Sequence, residues 1–374
     1  MPRTIPRSLR THAALLALAL LVAPLAFSSL ASAAEVTPGR HTLRGKSVQI
    51  CNVIGDAKLV PGDGPEVVVE VTTRGKDGSR LRVVVDECQG QKRLRVVYPS
   101  DRVVDSTVGR YNRQQTTFDG CCGSARIYLT RPGDGLDARA DLTIHVPRDQ
   151  NLALTQAAGP IDVTQVQGSL SLDNGGGDIS VNGLVGTLSI DSGSGEVSIE
   201  NSKGVLDVDS GSGGVRIEGF DGTLAIDSGS GGVRVSNLRA DKASISSGSG
   251  SVEGENIVAA VLAVDSGSGG IEFTRLNAPQ IVFDTGSGGV SAALARSPES
   301  LRIDSGSGGV RLTTPRDLDA MLDITCDKRN LDLGVPVVAS HVGDERFQGR
   351  AGSGHGLIVI ESGSGRVSLQ ADED

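Results

Sequence analysis

The chain has 374 residues, 51 of them glycine, with no Trp, three Tyr, six Phe and two Met, and a formal net charge of −9. So few aromatics leave no stacking platforms for bases, and the acidic balance gives no electrostatic footing on nucleic acid. What dominates instead, small β-formers and glycine, points to a repetitive all-β protein.

Residues 1–34 read as a Sec-type signal peptide. Arg3, Arg7 and Arg10 form a basic start, Ala13 to Leu25 an apolar run, and "ASAA" at Ala31 to Ala34 a small-residue cleavage site. The apolar run is too short for a membrane span, and no later stretch supplies an integral membrane segment in the mature chain. Cleavage removes three arginines and no acid, which takes the charge from −9 to about −12. The expected location is therefore outside the cytoplasm, either periplasmic or extracellular at the cell surface.

Residues 35–150 read as irregular early β-coils carrying an insertion at 98–140. That insertion holds "YNRQQTTFDGCCGSARIYL", Tyr111 to Leu129. Five cysteines follow the signal: Cys51, Cys88, Cys121, Cys122 and Cys326. In an exported protein they favour disulfides, and the odd count leaves one thiol over or an intermolecular bridge. Cys121 and Cys122 are adjacent and do not readily join each other, so either could pair with Cys51 or Cys88. No CxxC or HxxxH spacing points to a metal. The insertion reads either as a disulfide-pinned cap over the open end of the fold or as a binding loop.

Residues 151–374 carry a repeat. Asp173, Asp191, Asp209, Asp227, Ser246, Asp265, Asp284 and Asp304 each open a glycine-rich phrase such as "DSGSGGV", at spacings of 18, 18, 18, 19, 19, 19 and 20 residues; Glu361 opens a last one. Apolar pairs hold a fixed phase around each phrase, for example Leu224/Ile226 before it and Val233/Val235 after it. Each unit thus predicts two half-buried strands joined by a tight turn, whose glycines supply backbone angles closed to other residues. A further apolar residue (Leu184, Phe220, Leu238, Ile257, Leu276) is expected to plug the far bend. This predicts an all-β, single-stranded parallel β-solenoid, or β-helix, with coils of 18–20 residues and a side-chain-filled interior. A late loop, residues 335–352, interrupts it.

The "SGSGGV" turns after "LxID" strands resemble the bacterial β-strand-repeat family called "putative adhesin". "GHGLIVIESGSGRVSL" (Gly354 to Leu369) is similar to that family's closing coil, and "VQICNVIGDAKLV" (Val48 to Val60) to its opening coil, with "PEVVVEVTTRG" as the next strand. The resemblance implies a right-handed parallel β-helix and a non-enzymatic surface protein. It carries over no catalytic or cofactor-binding residue.

The aspartate column is the sharpest chemical feature. Carboxylates one coil apart repel, so either Asx-type hydrogen bonds to the following N–H groups or bound cations must offset them. Asp191, Asp209, Asp227, Asp265, Asp284 and Asp304 are accordingly the candidates for a calcium-binding ladder, beside the turn-capping reading. "FDTGS" at Phe283 to Ser287 looks like an aspartic-protease loop in isolation, but in register it is one rung of the column. His341 and His355 share the late interruption with Asp344 and Glu345, and a metal site there is an alternative to plain surface polarity. The function expected is an exported, non-enzymatic adhesin or scaffold, whose partner is a cell-surface glycan or an envelope protein. Two alternatives stand beside it: a polysaccharide-acting β-helix enzyme, and an envelope-stress or signalling accessory protein.

Overall fold

The structure, a computed structural model, describes residues 34–36, 38–105, 114–118 and 125–372. The expected signal sequence up to residue 33, and Cys121 and Cys122, lie outside the described residues. The described part is all-β: strands join into one long, mostly parallel sheet, and a small second sheet holds Arg102–Val104, Gln114–Phe118 and Ala125–Thr130.

The repeat phase sets the pairing. Each glycine turn joins a strand before it to a strand after it, and together these make one rung. Rungs pair in register with the next repeat: Asp191 with Asp209, Asp209 with Asp227, and Val215 with Val233. Where the repeat lengthens to 19 residues, the extra residue is absorbed as a register shift between Gly222 and Leu224. Alternation puts Leu206, Val208, Val215 and Ile217 inside at no more than 2% exposure, and their polar neighbours outside. Each such side chain stabilises by about 1.5–3 kcal/mol when enclosed. The interior is filled: Phe273 and Phe283 stack at 5.2 Å between ring centres, and a Cβ on Gly254 would sit inside the Phe273 ring.

The turn works differently from the sequence expectation. Asp191, Asp209, Asp227, Asp265 and Asp284 point outward, and the residue after each turns inward, where in several rungs its hydroxyl caps the turn; Ser192 Oγ is left without a partner among the described residues. Ser210 Oγ donates to Gly213 O at 2.9 Å, Ser228 Oγ to Gly231 O at 2.8 Å, and Ser305 Oγ to Gly308 O at 2.7 Å. The strand alternation explains the swap, because it turns the hydroxyl inward where the turn carbonyls need a donor. The glycines also have another cause. Gly177 and Gly195 take the positive φ expected of the turn, but Gly213, Gly231, Gly250, Gly269 and Gly288 do not occupy the left-handed region; a Cβ on any of them would instead collide with the backbone of the rung beside it. Left-handed residues sit at the far bend, just before the plug position: Gly183, Asn201, Gly219, Asn237, Asn256 and Arg275, with Ser202 in place of an apolar plug after Asn201.

Both ends depart from simple stacking. Ser47–Ile54 and Ala57–Pro61 form a rung beside Gln150–Ala158 and Ile161–Thr164, so all of residues 62–149 are inserted between two neighbouring rungs. Their strands Gln91–Val97 and Arg139–Val146 cover the opening rung, and the Tyr98 hydroxyl donates to Ile54 O at 2.9 Å. The interruption is thus wider than residues 98–140. At the other end Gly356–Ser362 does not close the stack. It lies between Ser300–Ser305 and Ala320–Thr325, which precedes it in the chain. The expected loop 335–352 is largely a hairpin, Val338–Val342 with Arg346–Ala351, laid antiparallel on Ala320–Thr325. Antiparallel strands thereby finish both ends, and the last of them, Val338–Val342, leaves Val338 and Val342 exposed.

Candidate functional site

Two outward surfaces flank the glycine turns. On the strand before the turn, the aspartates form the expected column, broken by Ser246. Neighbouring rungs lie about 4.8 Å apart. Partial burial, then Asp191, Asp227 and Asp207, push the Asp209 carboxyl above its ordinary range. Burial, then Asp265 and Asp304, do the same to Asp284, against the pull of Arg302. The column ends where Arg302 reaches Glu361 at 3.0 Å and Asp304 at 3.8 Å. The six candidate carboxylates are therefore brought together as an open row. No group of three or more His, Cys, Asp or Glu among the described residues is arranged to hold a metal ion.

On the strand after the turn, the outward residues run in register as Ser198, Arg216, Arg234, Glu253, Glu272, Ser291 and Arg311. Two positions earlier on the same face stand Gly214, Gly232, Ser251, Gly270, Gly289 and Gly309, which leave a shallow furrow. The glycines here are not demanded by the backbone. A Cβ on Gly214, Gly232 or Gly270 would meet nothing closer than 3.5 Å, and Glu196 and Arg366 fill the same position in other rungs. Part of the furrow, about 440 Å³, is walled by Glu253 and Glu272 at one end and by Arg311 and Arg366 at the other. The furrow is not legible in the sequence, because two adjacent glycines look alike until their neighbours are known.

A second concave space, about 580 Å³, opens where the first turns meet the inserted strands. Asp56, Asp105, Asp137, Asp178 and Arg139 line it. Cys51 and Cys88 are each disulfide-bonded, and Cys326, at the other end of the stack, is a free, buried thiol whose pKa burial raises. Cys51 is level with Arg95, whereas Cys88 is level with Gln91. That offset of four residues is about 13 Å along the strand, too far for the two to bridge each other.

A cluster that sequence reading missed joins Asp319, Ser353 and His355. Asp319 Oδ1 accepts from Gly354 N at 2.5 Å and from His355 N at 3.2 Å, and Oδ2 accepts from Ser353 Oγ at 2.8 Å. His355 Nδ1 lies 2.7 Å from Asp319 Oδ2 and 2.6 Å from Ser353 Oγ. His355, then Ser353, hold the Asp319 carboxyl well below its usual range. A nucleophilic triad needs the carboxylate on one ring nitrogen and the hydroxyl on the other. Here both meet Nδ1, so the loop grips Asp319 and activates no serine. His341 stands level with Gln348, away from this cluster, and the structure does not bring it to His355. Asp344 and Glu345 offer their carbonyls to Lys328 N and Cys326 N.

Residues 136–235 and 206–370 match, in two overlapping stretches, the family described as Toastrack DUF4097. No curated protein matches the chain. A crystal structure of a "putative cell adhesion protein" from Clostridium sporogenes ATCC 15579 is similar over 91% of this chain and 100% of its own, at 10% identity and a TM-score of 0.19.

Proposed function

The chain belongs to the Toastrack DUF4097 family, a β-repeat domain of unknown function, and from that premise we propose an exported, non-enzymatic envelope or surface scaffold that binds through its outward faces. Its frame on this reading is a right-handed, single-stranded parallel β-solenoid behind a cleaved signal at residues 1–34. The observation that carries the proposal is the arrangement of outward groups. Acids and bases stand in columns on open sheet faces, one per rung, rather than converging on a reacting atom in a cleft. Such columns suit an extended partner, a cell-surface glycan or an envelope protein, because each rung repeats the contact at a fixed spacing.

Glycan arrays and pull-down from native envelopes test this. Saturable capture is expected, weakened by arginine at flat outward positions such as Ser189, Ala225 and Ala263. Deleting the insertion is a poor test, since Val103, Ile127 and Leu129 pack on Val53 and Ile54 and would leave apolar surface bare. Absence of any capture, with product release from a polysaccharide panel, would replace the scaffold with the enzyme alternative. No helix among the described residues is long and apolar enough to cross a membrane.

A further inference from the structure

The furrowed face carries a sequence of charges that is complementary to its own reverse. Along the ladder the outward residues read Ser198, Arg216, Arg234, Glu253, Glu272, Ser291. We propose that this face docks on the same face of a second copy of the chain, about a two-fold axis that runs parallel to the strands and passes between the Arg234 and Glu253 rungs. That operator reverses the order of rungs while keeping each column opposite itself. Arg234 then meets Glu253 of the other copy, Arg216 meets Glu272, and Ser198 meets Ser291. Any shift by one rung, or an axis along the ladder, sets arginine against arginine or glutamate against glutamate.

The furrow supplies a second, independent fit. The same axis sets Glu196 opposite Gly289 and Asp178 opposite Gly309 of the other copy. A Cβ at Gly289 or Gly309 would lie 3.2 Å or 3.1 Å from the carbonyl oxygen of the next rung, a tight contact short of the collisions at Gly288 and Gly308, and Glu196 and Arg366 occupy the same column position in other rungs. The bareness of the two glycines leaves room for the two incoming acids, which arrive beside Arg311 and Arg366. Neither arginine has an ion-pair partner among the described residues, and nor has Glu272. On the far side of the face Glu218 and Glu200 meet Thr274 and Ala293, so no like charges are opposed there. Within one copy Arg234 pairs with Glu253, and Arg216 lies 3.7 Å from Glu196; these contacts are exposed and can be shared across the axis.

The eight rungs from Ser180 to Arg311 measure about 38 Å by 16 Å at ordinary strand spacings. That is about 600 Å² per copy, at the lower end of specific interfaces, and mostly polar. Association is therefore expected to be modest in strength and sensitive to salt. It does not depend on which partner the protein binds elsewhere.

Light scattering on the purified protein tests the proposal. Wild type is expected at twice the chain mass in low salt and at the chain mass in about 1 M salt. The R216E/R234E variant presents four glutamates in a row and E253R/E272R four arginines, so each alone is expected to be monomeric. Their equimolar mixture is expected to restore the double mass, as is the fourfold variant R216E/R234E/E253R/E272R on its own. Circular dichroism confirms that each is folded. Mixing S198C with S291C under mild oxidation is expected to give a reducible cross-link that neither forms alone. A wild type that stays monomeric in low salt, double variants that still dimerise, or a folded mixture that fails to associate would each overturn the proposal.

Discussion

Two adjacent glycines in each "SGSGGV" phrase do different physical work. Gly231 sits against the backbone of Gly213, and a methyl group there has nowhere to go; Gly232 faces the furrow, with Ser251 O at 3.7 Å as its nearest neighbour. Gly231→Ala is therefore expected to cost about 3 kcal/mol, the upper end of the usual range for overpacking, because the atoms it meets are backbone. Gly232→Ala is expected to change stability by less than about 0.5 kcal/mol, or to raise it by restricting the unfolded chain. Urea denaturation of the two variants checks this, and equal losses would refute it. The buried serine beside them gives an intermediate case. Ser228 is fully buried and its hydroxyl serves Gly231 O, so Ser228→Ala is expected to cost about 1–2 kcal/mol. None of these differences is written in the phrase itself. The sequence makes the turn legible, but which glycine touches a neighbour depends on the rung beside it.

At the scale of the element, the strand before each turn carries the acid column. A carboxyl whose pKa is raised on folding keeps its proton longer in the folded state than in the unfolded chain. Its contribution is therefore fully present below the ordinary value of 3.8 and is lost as pH rises through the raised value. Asp209 and Asp284 both behave this way. Asp86, pulled down mainly by Arg93, and Asp323, pulled down mainly by Arg346, act in the opposite sense and weaken the fold as pH falls. Comparing wild type with D209N/D284N cancels the second pair. The variant is expected to gain on wild type as pH rises from below 3.8 through the raised values, read as the shift in urea midpoint. A gap that does not change with pH would mean that solvent screens the column completely. The column was legible from the spacing of the repeat alone, as were the inward strands and the apolar plugs. The left-handed residue before each plug was present in the sequence as Gly, Asn, Gly, Asn, Asn and Arg. Its meaning emerges only when the bend is seen to fall there in successive rungs as far as Arg275.

For the whole molecule, the order of rungs matters more than their number. Periodicity orders the units along the chain but does not say which pairs with which after an interruption. From Asp173 to Asp304 sequence neighbours are spatial neighbours, because no intervening chain offers another partner. Beyond Thr314 that ceases to hold: Gly356–Ser362 slots between Ser300–Ser305 and Ala320–Thr325, and Val367–Ala371 lies beside both Val310–Thr314 and Leu331–Gly334. The last rung in sequence is consequently a keystone rather than a lid. Removing residues 355–374 takes away the one parallel neighbour of Ala320–Thr325 among the described residues and leaves that strand only its antiparallel contact with Arg346–Ala351. The remnant, three antiparallel strands (Ala320–Thr325, Arg346–Ala351 and Val338–Val342) cut off from the parallel stack that buries their inner face, has little stability of its own. Residues 320–354 of the shortened chain are expected to lose hydrogen-exchange protection and to become sensitive to protease, while Val197–Asn277 keeps its protection. If the final rung were a terminal lid, its loss would merely bare the next rung and leave 320–354 protected. Retained protection would show that Ala320–Gly334 can slide one rung inward and take the vacant place, so that the order of rungs is set by competition between two strands of similar pattern.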